Sequence, residues 1–229
     1  MSINRLGALF WLLAAPLFLA ATVVTALAWQ NPSFSWAAHN ISDLGNVTCG
    51  RWDTTRPREV CSPWHPVMNS AMITTGVLLA LGVLLTWSVL GRGAAVRAAQ
   101  LLTLAGAGGY VLAGAYPADV DENRHFLAAL LIFVPGNLGM LLAALARRAT
   151  VLGAVRWWSL GSGLTGTTGT VLFLARVDLG FGVGGMERVA VFPLLAWTAG
   201  VALRVLAAHP PRTNSAPSVT SAGRGGSTW

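Results

Sequence analysis

Apolar residues in this chain come in long unbroken runs separated by short polar breaks. The runs cover residues 6–29, 66–90, 98–115, 125–146, 151–175 and 186–208. A membrane-crossing helix needs roughly 20 mostly apolar residues, and each run is about that long. A half-buried strand would alternate, and a soluble amphipathic helix would keep one polar face. The pattern therefore predicts an all-α membrane protein, a six-transmembrane-helix bundle. Ala26-Leu27-Ala28 resembles a signal-peptidase site. The run before it exceeds the roughly 7–15 apolar residues of a signal core, so an uncleaved first span is expected.

The breaks divide the chain further. Residues 30–65 form its long loop, residues 116–124 a short acidic loop, and residues 176–185 a glycine-rich one. Residues 1–208 read as one membrane domain. Residues 209–229, rich in Ser, Pro, Gly and Thr, read as a disordered cytoplasmic tail. Inside the spans, Asn69 and Asn137 stand out as buried polar residues; Asn137 follows Pro135-Gly136 and is expected to hydrogen-bond a neighbouring helix. Ser162, Gly166 and Thr170 recur every four residues and predict a close-packing ridge.

Composition supports the membrane reading. Residues of the charged types make up 10% of the chain, where soluble domains carry about 25%. The net charge of +7 comes entirely from arginine, spread along the edges of the apolar runs without a basic patch. That distribution excludes a nucleic-acid-binding surface and implies the lipid bilayer as partner. With six spans and the N-terminus inside, the cytoplasmic segments hold nine of the 15 arginines and none of the eight acids. The reading is a multi-pass protein of the cell membrane with N- and C-termini cytoplasmic.

The candidate chemistry gathers on the opposite, outer face. Cys49 and Cys61 share the long loop and fit a disulfide on an oxidising face, with free thiols or metal ligands as the alternative. His39 and Asp43 are four residues apart with Ser42 between them, His65 opens the second span, Asp119 and His125 flank the acidic loop, and Glu187-Arg188 open the last span. His39, Ser42, Asp43, His65, Asp119, His125, Glu187 and Arg188 are thus candidates for a catalytic or ligand-binding site. His39, Asp43, His65 and His125 also have the donor types for a zinc-type divalent metal. The competing explanation is structural: acids and hydroxyls cap helix ends and turns, which accounts for Ser42 and Asp43 better than for His39.

The segment from His39 to Gly45, Ser62-Pro63-Trp64-His65-Pro66 with Asn69, the residues from Pro117 to His125, Gly136-Asn137 and Glu187-Arg188 together resemble domain-of-unknown-function family 998. The resemblance covers about residues 6 to 208 and implies a polytopic bacterial or archaeal integral membrane protein without implying a reaction. Ser42, Asp43, His39, His65 and His125 are also similar in type to the metal site of the CREST superfamily of membrane hydrolases, although this chain lacks a late-span histidine pair. Three functions follow as expectations: an outer-face site for a lipid or small ligand, a metal-dependent lipid hydrolase, and a small-molecule transporter. Whether the chain is an enzyme stays open at this point.

Overall fold

A computed structural model describes residues 1–208; the expected tail, with His209, lies outside the described residues. The chain forms α1 (Ile3–Ala28), a 3-10 turn (Ser42–Gly45), β1 (Gly50–Trp52), β2 (Arg58–Val60), α2 (His65–Thr86), α3 (Ala94–Ala115), α4 (Glu122–Ala143), α5 (Val151–Ala154), α6 (Arg156–Leu174) and α7 (Val183–Ala208).

Helices α1, α2, α3, α4 and α7 are long and apolar enough to cross a membrane. They mark the chain as a multi-pass membrane protein. The run at residues 151–175 departs from the expectation of one continuous span. It is divided between α5 and α6 at Val155. Thr150 caps α5, its Oγ1 accepting the Gly153 N–H at 2.9 Å. The Leu152 N–H donates to the Leu90 carbonyl at 3.3 Å, so α5 is tied to the end of the α2–α3 connection. The 19 residues of α6 have sufficient length, but their Gly, Ser and Thr content leaves α6 outside the apolar group.

Each long helix packs on its chain neighbour, α4 passes the sequence on to α6, and α7 returns to α1. Two indoles join neighbours: Trp11 Nε1 donates to the Leu79 carbonyl at 3.0 Å, and Trp197 Nε1 donates to Ser159 Oγ at 2.8 Å. On the circumference Leu84, Leu101, Val171 and Leu203 are exposed, the side that lipid would cover. Asn137 does what its mid-span position predicts. Its Nδ2 reaches the Phe133 carbonyl at 2.8 Å, Thr170 Oγ1 at 3.0 Å and the Ala190 carbonyl at 3.2 Å, joining α4, α6 and α7. Gly166 makes this possible, because a Cβ there would overlap the Asn137 amide.

The connections α1–α2, α3–α4 and α6–α7 meet at one end. Asp119 accepts the Val47 N–H at 2.9 Å and the Thr48 N–H at 2.7 Å. Arg176 reaches Thr55 Oγ1 at 2.8 Å. The long loop at this end carries a feature the apolar pattern does not foretell, an antiparallel pairing of β1 with β2 in the register Gly50–Val60, Arg51–Glu59, Trp52–Arg58. Cys49 and Cys61 flank the pair and form a disulfide.

Candidate functional site

The polar residues at the loop end fall into two regions. The first is a closed knot. Asp43 lies in the 3-10 turn with its side chain 1% exposed, and the Arg58 side chain is 9% exposed. Arg58 presents Nε to one Asp43 oxygen at 2.7 Å and Nη2 to the other at 2.5 Å. Asp43 also accepts the Asn40 N–H at 2.8 Å. Arg58 Nη1 reaches Asp53 at 3.1 Å. A two-pronged pair of this kind is among the stronger side-chain contacts. The two carboxylates outweigh the burial that opposes the Arg58 charge, so its pKa rises. Burial alone would push the Asp53 carboxyl up, but bonds from Thr55, Arg56 and Arg58 bring it down to about 2.

His39 belongs to the same knot. Its Nδ1 accepts the Ser35 N–H at 2.9 Å. Its Nε2 lies 3.0 Å from the Glu59 carbonyl and therefore carries the proton. The ring packs against Phe34 at 5.2 Å and Trp29 at 4.7 Å between centroids. Burial lowers its pKa, with the Glu59 carbonyl acting in the opposite sense. Arg188 closes the knot from α7: Nη1 donates to the carbonyls of Trp36 and His39 at 3.0 Å and of Gly184 at 2.6 Å. Both ring nitrogens of His39 and both oxygens of Asp43 are thus engaged. Among the described residues no three His, Cys, Asp or Glu side chains gather as a metal-binding group.

Other candidates serve similar local ends. His65 Nδ1 is 3.0 Å from the Ser62 carbonyl, while Ser62 Oγ donates to the Leu44 carbonyl at 2.7 Å. Asn69 Nδ2 donates to the Gly45 carbonyl at 2.9 Å. Gly45 has to be glycine for this approach, since a Cβ would strike the Asn69 amide.

The second region is open. A cavity of about 520 Å³ lies beside the loop, with Ser42, His125 and Glu187 on its wall and Phe126, Phe133 and Phe173 along its apolar side. A smaller chamber of about 30 Å³ shares Ser42, His125, Ala129, Phe133 and Glu187 with it and adds Tyr110. Glu187 is 6% exposed and lies in the first turns of α7. One of its oxygens accepts the Ile41 N–H at 2.5 Å; the other has no protein donor among the described residues. His125 Nδ1 is 2.9 Å from the Tyr116 carbonyl, which fixes the proton there and leaves Nε2 as an acceptor. The buried Tyr110 hydroxyl makes no hydrogen bond.

A family model described as "Protein of unknown function (DUF998)" matches residues 12–204. The chain belongs to the DUF998 family. No curated protein and no solved structure matches the chain. The matched stretch of this DUF998 protein contains both the knot and the cavity. Of the eight residues singled out from sequence, His39, Asp43 and Arg188 meet in the knot, and Ser42, His125 and Glu187 meet on the cavity wall. Asp119 and His65 hold loop backbone. Sequence reasoning missed Arg58 and Tyr110. Arg58 reaches Asp43 only through the β1–β2 register, which no periodicity announces. Tyr110 carried a usable signal, a phenol inside an apolar span, where a polar group is expensive without a partner.

Proposed function

We propose that this DUF998 protein spans the cell membrane six times, with α6 as a sixth, less apolar span and both termini cytoplasmic, and binds an amphipathic lipid or small ligand at its outer face. Residues 1–208 act as one membrane domain in this reading. The observation that carries it is the 520 Å³ cavity at the loop end, with polar Asn40, Ser42, Thr54 and Glu122 on one side and Phe126, Phe133 and Phe173 on the other. Such a division of polar and apolar walls suits a molecule with a polar head and an apolar body. All eight acids fall in the connections or helix starts assigned to the outer face, in keeping with the arginine bias that sets the orientation.

The test uses the full chain in phosphatidylcholine nanodiscs and a titration with octanol, octylamine and octanoate. At least one is expected to bind saturably to the wild type. Ala129 lies on the wall of both cavity and chamber, and Ala129→Trp is expected to abolish that binding while leaving the unfolding midpoint within a few degrees. Binding of all three unchanged by Ala129→Trp, or by none to the wild type, defeats the reading. For the topology, single labelling sites at positions 54 and 147 are expected on opposite sides of the membrane.

A further inference from the structure

On the wall of the inner chamber the side chains left with polar atoms unpartnered among the described residues are acceptors or hydroxyls; the unpartnered Nε and Nη2 of Arg188 belong to a side chain that lines neither cavity nor chamber. Glu187 offers a carboxylate oxygen, His125 offers Nε2 as an acceptor, and Ser42 offers a hydroxyl; all three residues line both the cavity and the inner chamber. No arginine forms an ion pair with Glu187 among the described residues. Its sequence neighbour Arg188 turns instead to the carbonyls of Trp36, His39 and Gly184. The two cations on the cavity wall are Arg51 and Arg58. Arg58 is committed to Asp43 and Asp53. Arg51 is exposed, on β1.

The surroundings of these acceptors are aromatic. Phe18, Tyr110 and Phe133 line the inner chamber with Glu187 and His125. Phe18 meets Tyr110 edge-on at 5.4 Å, and Phe133 meets Phe173 at 5.5 Å. Aromatic faces attract cations, and a nearly buried carboxylate calls for a positive or donating partner. At the inner chamber an anionic head would meet Glu187 with repulsion and find only the Ser42 and Tyr110 hydroxyls as free donors among the described residues, since Arg51 lines the outer cavity and not the chamber. A neutral alcohol would satisfy one acceptor and leave the carboxylate charge without compensation.

Resting on the amphipathic-ligand reading above, we infer that the cavity selects a protonated amine, whose ammonium head donates to Glu187 and His125 at the inner chamber while its apolar body lies along Phe126, Ala129, Phe133 and Phe173. Three donors on an ammonium match the set of acceptors: the free Glu187 oxygen, His125 Nε2 and Ser42 Oγ. The Tyr110 hydroxyl adds an oxygen that can accept in the same chamber. The inner chamber, about 30 Å³, has room for a water-sized group and so for an unbranched ammonium.

The three-probe titration separates this inference from the reading it rests on. Octylamine, octanol and octanoate have the same chain and differ in the head. Wild-type protein is expected to bind octylamine at least tenfold more tightly than octanoate and several-fold more tightly than octanol. Glu187→Gln retains an oxygen for the Ile41 N–H and removes the charge; it is expected to cost octylamine tenfold or more and to move octanol less than twofold. Equal affinity for the three heads leaves the amphipathic-ligand reading standing and overturns the amine assignment. So does a Glu187→Gln protein that keeps the wild-type preference. Should Glu187→Gln fail to fold, the head preference of the wild type decides alone. Absence of binding by all three probes removes both.

Discussion

The knot and the cavity are built from neighbouring residues and treat them in opposite ways. Ser42 and Asp43 are adjacent, as are Glu187 and Arg188. In each pair one side chain is absorbed into the knot and the other lines the cavity. Both oxygens of Asp43 accept from Arg58, and Arg188 Nη1 donates to the carbonyls of Trp36, His39 and Gly184. Ser42 and Glu187 keep oxygen atoms for whatever enters. The difference teaches that a cluster of polar residues at one end of a helical membrane protein is not one object. Residues of the knot and residues of the cavity wall interleave along the sequence, and only the partner each side chain reaches tells them apart.

That division is open to direct attack, beginning with the ion pair. Asp43→Ala takes the two-pronged partner from a buried Arg58 and leaves it Asp53 alone; removal of one member of a buried pair costs about 3–5 kcal/mol. The measurement is denaturant unfolding in detergent, followed by tryptophan fluorescence. The double variant Asp43→Leu with Arg58→Met is expected to recover most of that loss, and if it does not, the pair is holding more than itself. Next in size is Cys49→Ser, expected to cost about 3 kcal/mol by freeing the denatured chain that the disulfide constrains; reducing agent applied to the wild type should give the same loss and no further loss in the variant.

His39→Phe follows. It removes two hydrogen bonds from a stacked ring and is expected to cost about 1–3 kcal/mol. It also carries a pH signature. The folded state lowers the His39 pKa below 6.5, so the folded protein disfavours protonation. Its contribution is complete above pH 6.5 and is lost as pH falls through the lower folded value. The melting temperature of the wild type should therefore fall relative to that of His39→Phe on acidification below pH 6.5. Asp53 does not contaminate this window, because its own loss begins near 3.8 and runs down to about 2. Smallest of all is Ser42→Ala, one residue from the largest effect. It is expected to shift stability by less than about 0.5 kcal/mol, as for substitutions that break no buried contact. A Ser42→Ala protein as damaged as Asp43→Ala would erase the boundary between the two regions.

The helical architecture was legible because membrane helices are read from run length, and five of the six runs became helices long and apolar enough to span. The run at residues 151–175 was read as one helix because its small residues give no signal of the break at Val155. Asp121 caps α4, accepting the Arg124 N–H at 3.0 Å, and Asp119 binds the loop amides of Val47 and Thr48. His39 resisted that explanation in the sequence, since nothing there reveals that Ser35 and Glu59 would occupy its two nitrogens. The cavity was legible only as a list of residue types. Which of Ser42 and Asp43 faces it depends on the 3-10 turn and on Arg58, fifteen residues away and linked through a hairpin too short to register as strand pattern.

The hydrogen bond from the Ile41 N–H to Glu187 spans 146 residues, and Arg188 clasps the carbonyl of His39 across 149. During synthesis at roughly 5–20 residues per second, the first loop waits on the order of 7–30 seconds for these partners to emerge. The disulfide, across 12 residues, has no such wait. The loop therefore depends on a local tie, the disulfide and hairpin, and on a distant one that exists only once the last helix has been made. A chain that ends before residue 187 lacks both ties to the last helix and the Glu187 wall of the cavity.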